Sequence, residues 1–292
     1  MADIYIGPAG WSYKDWVGPF YPEGKRLDKL LYVARYFNCA EINSTFYRLP
    51  SEALVRSWAE RVGIKKDFRF SIKVLKKFSH ERISEQGELE EFIHRFDPLT
   101  ESDLLGSFLV QFPWSFKNES DSRKYIEKLA KSFHSLPLAV ELRHGSWNSP
   151  DTQKLFRDNE IAFCNIDQPL IGNSMPPTNF VSSTRLAYIR LHGRNFANWF
   201  KENAGRDERY NYLYSMNEMN EWAERASQIA EQVDSLFIIT NNHFRGQALA
   251  NAFQMKFLIN GEKLEIPPEM RRSYPQLKEI SKSVERSDLE LD

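Results

Sequence analysis

The sequence predicts an α/β fold, specifically a single (β/α)8 TIM-type barrel with parallel strands. Eight short apolar or β-branched segments recur along the 292 residues, and amphipathic segments with helical periodicity separate them. Most connections are long enough for a right-handed crossover between parallel strands. Eight such units most simply close into a barrel. A doubly wound open sheet is the alternative, but no Gly-x-Gly-x-x-Gly turn follows the first segment.

The predicted elements alternate along the whole chain. Strands are expected at residues 4–7, 40–43, 69–74, 107–112, 138–143, 161–166, 186–191 and 236–240. Helices are expected at residues 28–37, 52–62, 88–96, 122–132, 152–158, 217–232 and 247–258. We predict one barrel domain over residues 1–280 and a charged, frayed tail over 281–292.

Long βα loops are expected after strands 1, 3, 6 and 7. Residues 10–25 are rich in Gly, Pro and aromatic residues, and residues 168–184 carry three prolines. Residues 193–209 contain Trp199 and Phe200 and could fold over a site as a lid.

Composition excludes several classes of protein. Lys plus Arg number 39 and Asp plus Glu 40, so the net charge of −1 argues against broad, non-specific nucleic-acid binding. The two cysteines, Cys39 and Cys164, lie in or beside apolar runs and are expected to be reduced and buried. There is no secretory leader pattern and no apolar run near the ~18 residues of a membrane span. We expect a cytoplasmic monomer without membrane contact.

The residues that follow the predicted strands are unusually polar. In LAVELRHGSWN at 138–148, Glu141 and Arg143 share the parity of Ala139, whereas His144 has the opposite parity and should point outward as a supporting residue. By the same parity rule, other strands direct polar groups inward. These are Glu41, Asn43, Thr45 and Tyr47; Arg69, Ser71 and Lys73; Gln111; Asn165 and Asp167; Tyr188, Arg190, His192 and then Arg194; and Asn241 and His243.

Two interpretations of these polar strand ends remain open. The cations Lys73, Arg143 and Arg190 nearly balance the anions Glu41, Glu141 and Asp167, which is typical of a self-satisfied salt-bridge network. Alternatively, the network presents Arg and Lys to an anionic ligand at the C-terminal face, where barrel active sites lie. Arginine offers a bidentate fork to phosphate or carboxylate.

Aromatic side chains accompany these strand ends. In loops they are placed to wall a pocket, although scattered aromatics more often belong to a core. They are Trp11, Tyr13, Trp16, Phe46, Tyr47, Trp114, Trp147 and Trp199.

Common catalytic motifs are absent from the sequence. It contains no P-loop, no Gly-x-Ser-x-Gly elbow and no His-Glu-x-x-His helix. A divalent metal is conceivable, but the candidate carboxylates and histidines come from separate strands, so no motif indicates one. The sequence therefore leaves the cofactor unknown.

Seven segments lie at or near the predicted strand ends, in the order GPAGWSYKDWVGPFYP, AEINSTFYRLP, FSIKVLKKFSH, LVQFPWSF, AVELRHGSW, YIRLHGRN and TNNHFRGQALANA. Together they resemble the YecE-like family, domain of unknown function 72. The resemblance implies a TIM-type barrel in a cytosolic, mostly prokaryotic protein. It also implies a distant similarity to endonuclease-four and sugar-isomerase barrels, although the His-rich three-metal set of the endonuclease is missing.

The motif positions define the expected site. Glu41 and Glu141 are candidate general acid or base residues, and His192 and His243 are candidate proton relays or metal ligands. Candidate substrate-binding residues are Trp11, Tyr13, Asn43, Thr45, Tyr47, Lys73, His80, Gln111, Arg143, Trp147, Arg190, Arg194, Asn241 and Asn242.

The leading hypothesis is an enzyme that binds a phosphorylated or other anionic small molecule or nucleotide at the C-terminal face. It would be a hydrolase or isomerase acting on a phosphate- or sugar-containing substrate. The alternatives are endonuclease-four-like nucleic-acid binding with metal-assisted phosphodiester hydrolysis, and a non-catalytic barrel with a structural salt-bridge interior.

Overall fold

The computed structural model describes residues 2–83, 86–201 and 205–282, and it contains the predicted barrel. All eight strands run parallel, in the order β1-β8-β7-β6-β5-β4-β3-β2. Their bounds are β1 Asp3–Pro8, β2 Cys39–Ile42, β3 Arg69–Lys73, β4 Leu105–Gln111, β5 Leu138–Glu141, β6 Ala162–Asp167, β7 Leu186–Leu191 and β8 Ser235–Thr240. The (β/α)8 prediction is confirmed.

The helices lie between the strands, as the sequence periodicity predicts. Some of their N-termini carry capping side chains: Asp28 caps the first helix, and Ser215 forms a capping box with Glu218 at α8. No described helix is both long and apolar enough to cross a membrane. The bounds are α1 Lys29–Tyr36, α2 Glu52–Val62, α3 Gln86–His94, α4 Asp97–Glu101, α5 Ser120–Ser132, α6 Pro150–Asp158, α7 Arg206–Arg209, α8 Met216–Ala230, α9 Gln247–Asn260 and α10 Pro268–Ser273.

A side chain helps to close the seam between β1 and β2. Asn38 donates from Nδ2 to the Ile4 carbonyl and accepts at Oδ1 from the Ile6 amide, both at 2.8 Å. Farther along the seam, Ala9 and Glu41 form a parallel bridge. The Asn38 amide thus replaces ladder hydrogen bonds at the point where the sheet meets itself.

The lower barrel interior is filled by stacked rings. Tyr5 stacks on Phe237 with centroids 4.7 Å apart, and Phe237 lies parallel to Tyr188 at 5.9 Å. A Cβ at Gly106 would meet the Phe237 ring at 2.2 Å, so only glycine fits beside it. The hydroxyl of Tyr188 ends this column and points toward the polar upper half.

The inward parity predicted for strand six is wrong. Cys164 and Ile166 pair in register with Tyr188 and Arg190, so these two residues share the inner face. Asp167 therefore points outward, where its carboxylate accepts from Trp222 Nε1 of α8. In a strand buried on both faces, polarity alone does not mark the inner side.

The loop between β1 and α1 is a packed structure. Trp16 within it is fully buried and donates from Nε1 to the His243 carbonyl at 2.7 Å, while Tyr21 donates to the Trp11 carbonyl at 2.6 Å. The loop therefore fixes the rim of the barrel mouth. Both cysteines are free and buried, as predicted.

The C-terminal boundary is described only in part. Ser281 bridges to Leu264, and the Lys282 amide donates to the Leu264 carbonyl at 2.8 Å. Residues 283–292, most of the predicted tail, lie outside the described residues.

Candidate functional site

The upper barrel interior holds a buried ionic network, which we call the floor: Glu41, Glu141, Arg190 and His192. All four side chains have zero exposure. Arg190 donates from Nη2 to Glu41 at 2.6 Å and from Nη1 to Glu141 at 2.5 Å. The Tyr188 hydroxyl donates to Glu41 or to Ser71, at 3.0 and 2.7 Å, and so joins the floor to the ring column below.

Opposite charges keep Glu141 ionised. Burial alone would raise its pKa, but the charges of Arg190 and Arg143, together with a hydrogen bond from His192, outweigh burial and hold the pKa well below its ordinary range. The Arg143 Nε donates to the second oxygen of Glu141 at 2.7 Å. With both oxygens engaged, Glu141 is a fixed anion in this network.

His192 is held as a neutral ring. Its Nε2 lies 3.1 Å from Glu141 and its Nδ1 lies 2.9 Å from Asn241 Nδ2. A proton on Nε2 donates to the carboxylate, and the bare Nδ1 accepts from the amide, so one proton satisfies both contacts. Burial lowers the pKa of His192 to about 3, despite the attraction of Glu141.

Directly above the floor is a cavity of about 380 Å³, which we call the mouth cavity. Three cationic side chains and no carboxylate line it among the described residues. The cations are Lys73, Arg143 and Arg209. The remaining lining residues are polar or aromatic: Tyr13, Asn43, Phe46, Tyr47, His80, Gln111, Tyr210, Asn241 and His243.

Lys73 and Arg209 are the cations of this cavity without an ion pair among the described residues, and Lys73 is the one at a strand end. Its Nζ lies 4.4 Å from the centre of the Phe46 ring and makes no hydrogen bond or ion pair with another described residue. Burial and then the charge of Arg190 lower its pKa to about 7, against the attraction of Glu41 and Glu141. An unpartnered amine above a neutralised floor is suited to an anionic ligand.

The histidine His80 lies beside Lys73. Its Nδ1 lies 3.0 Å from the Ser79 hydroxyl, and its ring meets Phe46 edge-on at 5.0 Å. Burial, then the charges of Lys73 and Arg143, lower the pKa of His80 to about 4. The ring is therefore neutral at pH 7 and able to accept a proton.

Two further cavities adjoin the mouth cavity through shared lining residues. One, of about 520 Å³, lies toward the β1 loop and includes Trp11 and Tyr13. The other, of about 220 Å³, lies toward Trp114 and Trp199. Arg143 sits over the Trp199 ring at 5.4 Å. Together the three cavities form a trough, walled by aromatic rings, across the mouth of the barrel.

The structure separates the predicted site residues into groups. Trp11 lines only the adjoining cavity, and Glu41, Glu141, Arg190 and His192 form the floor. Those brought together around the mouth cavity are Tyr13, Asn43, Tyr47, Lys73, His80, Gln111, Arg143, Asn241 and His243.

Four predicted site residues lie elsewhere. The Thr45 hydroxyl is 2.6 Å from the carbonyls of Ile42 and of Lys73 and braces the strand ends. Trp147 is buried behind the wall and donates to the Phe116 carbonyl. The two others point away from the cavity: Arg194 pairs with the outward Asp167, and Asn242 donates to Tyr212 and Asn251.

Arg209 and Tyr210 line the cavity but were missed by the sequence prediction. Arg209 is the last residue of the stretch 193–209 predicted as a lid, but it was not among the predicted site residues. His144 lies off the cavity, as predicted: its Nδ1 accepts from the Ser146 amide at 3.1 Å. No three His, Cys, Asp or Glu residues gather as metal ligands within the described ranges.

Comparison with known proteins decides the family. The sequence pattern described as "Protein of unknown function DUF72" matches residues 5–275. The chain belongs to the DUF72 family. The predicted resemblance is thereby confirmed, since the curated relatives include the UPF0759 protein YecE of Escherichia coli K12, 32% identical over 147 residues that cover 48% of each chain.

Other DUF72 relatives align along nearly their whole length. The UPF0759 protein YunF of Bacillus subtilis is 26% identical over 283 residues, covering 91% of this chain and 98% of its own. The crystal structure of a DUF72 family protein from Thermotoga maritima is 33% identical with a TM-score of 0.78, covering 88% of this chain and 99% of the other. One from Enterococcus faecalis is 28% identical with a TM-score of 0.79, covering 91% and 98%.

Proposed function

We propose that this protein is an enzyme that binds a phosphorylated or otherwise anionic small molecule or nucleotide in the mouth cavity. The observation that carries the proposal is the charge of the lining, three cations without a carboxylate among the described residues. Charge-assisted hydrogen bonds from Arg and Lys are the usual means of holding phosphate or carboxylate. The aromatic walls would contact the rest of the ligand.

The residues of the site divide into two roles. Lys73, Arg143 and Arg209 would bind the anionic group, while His80 and His243 would hold or move protons beside it. Glu41 and Glu141, the acid or base candidates from the sequence, lie beneath the cavity with their oxygens on arginines. We assign them the role of fixing Arg190 and Arg143 in place.

The alternative of a purely structural salt-bridge interior accounts for the floor. The two carboxylates of the floor are neutralised by Arg190 within it and by Arg143 from the cavity wall. It gives no role to Lys73, because partly burying an amine without an ion-pair partner costs free energy that folding alone does not require.

Calorimetric titration with inorganic phosphate and with adenosine monophosphate tests the proposal. Lys73→Met should weaken binding about tenfold or more, because a charge-assisted hydrogen bond contributes ~1.5–3 kcal/mol. The matched control is Lys76→Met, three positions along, since Lys76 is exposed and pairs with Glu81. The proposal fails if neither anion binds the wild type at low ionic strength, or if Lys73→Met binds as tightly.

Binding of short oligonucleotides would favour the nucleic-acid alternative. Its signature is an affinity that falls steeply as the salt concentration rises, because the logarithmic slope is proportional to the number of phosphates that the protein contacts. A single bound anion gives a shallow slope, which is the result we expect.

A further inference from the structure

Lys73 differs from the other charged residues of the barrel interior in having no partner. Glu41, Glu141, Arg143 and Arg190 all form ion pairs at 2.5–2.7 Å. Within the described residues, the Lys73 amine meets only the face of an aromatic ring. A charge-balanced interior has no structural need for this amine.

The backbone of Lys73 is fixed while its amine stays accessible. The Thr45 hydroxyl lies 2.6 Å from the Lys73 carbonyl, at the end of β3. The ring of Phe46 supports the side chain from one side, and Nζ faces the mouth cavity. The amine is therefore presented to a ligand from a rigid strand end.

Protonation of this amine is disfavoured by its surroundings. Burial and the guanidinium groups of Arg190 and Arg143 act against the charged form, and Glu41 and Glu141 act for it. The balance lowers the Lys73 pKa to about 7, so a large fraction is the neutral amine at neutral pH. A neutral lysine amine is a nucleophile toward carbonyl carbon.

A proton acceptor lies beside the amine. His80 shares the Phe46 ring with Lys73, and its Nδ1 is oriented by the Ser79 hydroxyl. Its Nε2 makes no hydrogen bond with another described residue, so it remains available to a ligand in the cavity. Burial and the nearby cations lower the pKa of His80 to about 4, which keeps the ring neutral.

We propose that Lys73 forms an imine with an aldehyde or ketone whose phosphate or carboxylate group is held by Arg143 and Arg209. This inference rests on the proposed function and narrows its substrate class to anionic carbonyl compounds. The Nζ lone pair attacks the carbonyl carbon, and the carbonyl π pair becomes an alkoxide. His80 takes one proton from the nitrogen and gives it to the alkoxide, which forms a carbinolamine. His80 then carries the second nitrogen proton to the hydroxyl, the nitrogen lone pair forms the C=N bond, and the C–O bond breaks to release water. The net change is amine plus carbonyl to imine plus water, with no oxidant or reductant.

Reductive trapping tests the inference on the full chain. Dihydroxyacetone phosphate is added with sodium cyanoborohydride, and the product is located by peptide mass mapping. We expect one adduct, on Lys73, that forms faster as the pH rises through about 7 and is suppressed by inorganic phosphate. Lys73→Arg should abolish it, because a guanidinium does not form the imine. Lys76→Arg should leave it unchanged.

The controls separate an inactive amine from a misfolded or empty site. Circular dichroism and phosphate calorimetry on Lys73→Arg show whether the fold and the anion site persist, and Lys73→Met provides a second amine-free variant. Phosphate binding without an adduct in the wild type overturns the imine and leaves the anion site standing. Absence of both overturns both proposals. Equal trapping of dihydroxyacetone without its phosphate overturns the anionic substrate class, and equal labelling of Lys73→Arg overturns the assignment to Lys73.

Discussion

The floor and the mouth cavity use the same residue types with opposite outcomes. In the floor, Glu41 and Glu141 flank Arg190 with zero exposure, and every carboxylate oxygen has a donor. In the mouth cavity immediately above, cations line the walls and no carboxylate does so among the described residues. Arg190 and, from the cavity wall, Arg143 neutralise the two carboxylates of the floor, whereas Lys73 and Arg209 leave the cavity with surplus positive charge.

This difference shows how to interpret charged residues inside a barrel. Charges at inner positions are not by themselves a sign of function, because a paired network such as the floor needs no ligand. The informative feature is the charge that the network does not neutralise. Here that charge is carried by Arg209 on the loop and by Lys73 at the boundary between the two regions.

The largest expected effect is loss of Arg190 from the floor. Arg190→Met leaves two buried carboxylates without their shared partner and should lower the free energy of unfolding by about 3–5 kcal/mol. Urea denaturation measures the loss. Adding Glu41→Gln should recover part of it, because one stranded charge disappears. If Arg190→Met alone lowered the free energy of unfolding by less than about 1 kcal/mol, its effect would approach the ~0.5 kcal/mol of ordinary surface changes. That result would contradict the role of Arg190 in neutralising the floor.

In the mouth cavity, by contrast, removal of a cation should stabilise the protein. Lys73→Met removes a partly buried amine that has no ion-pair partner and should raise the free energy of unfolding at pH 6 by ~1–3 kcal/mol. The folded pKa of about 7 lies below the ordinary 10.5, so the unfolded chain binds more protons between these values. The gain should therefore be full below pH 7 and shrink as the pH approaches 10.5. A gain that is absent at pH 6 would show that Lys73 has a partner.

Histidine titration compares the two regions without removing a charged group. The pKa values of His192 and His80 are lowered to about 3 and about 4, so the folded protein binds fewer protons than the unfolded chain below pH 6.5. Stability should fall as the pH drops from 6.5, by up to ~1.4 kcal/mol per pH unit for each ring.

Nuclear magnetic resonance distinguishes the two histidines. Phosphate in the mouth cavity should raise the pKa of His80 and leave that of His192 nearly unchanged, because His192 lies in the floor. An equal response of both rings would place the anion elsewhere.

The smallest effect is expected just outside the cavity. Lys76 pairs with Glu81 at 3.4 Å, and both side chains are about half exposed. Lys76→Met should change the free energy of unfolding by less than about 0.5 kcal/mol, because exposed ion pairs contribute little. A change as large as that of Lys73→Met would show that position in the cavity is not what distinguishes the two lysines.

The barrel could be predicted from local sequence patterns, and so could most of the strand residues whose side chains point inward. Strands ending in Glu41, Glu141 and Arg190 were predicted to meet at one face, because parallel strands place their carboxyl ends together. Strand six was the exception, since a strand buried on both faces carries no reliable in-out signal and Asp167 could find its partners in α8. The separation of floor from cavity also could not be predicted, because it depends on which carboxylate reaches which arginine.

The barrel and the charged strand ends could be predicted from the sequence alone, since both depend on periodicity and chain order. Three features became visible in the folded chain: Arg190 pairs with two carboxylates, Arg209 joins the cavity from the loop, and Lys73 has no ion-pair partner among the described residues. Which buried charges pair depends on differences of a few tenths of an ångström in the distances between residues far apart in the chain. No local sequence spacing encodes those differences.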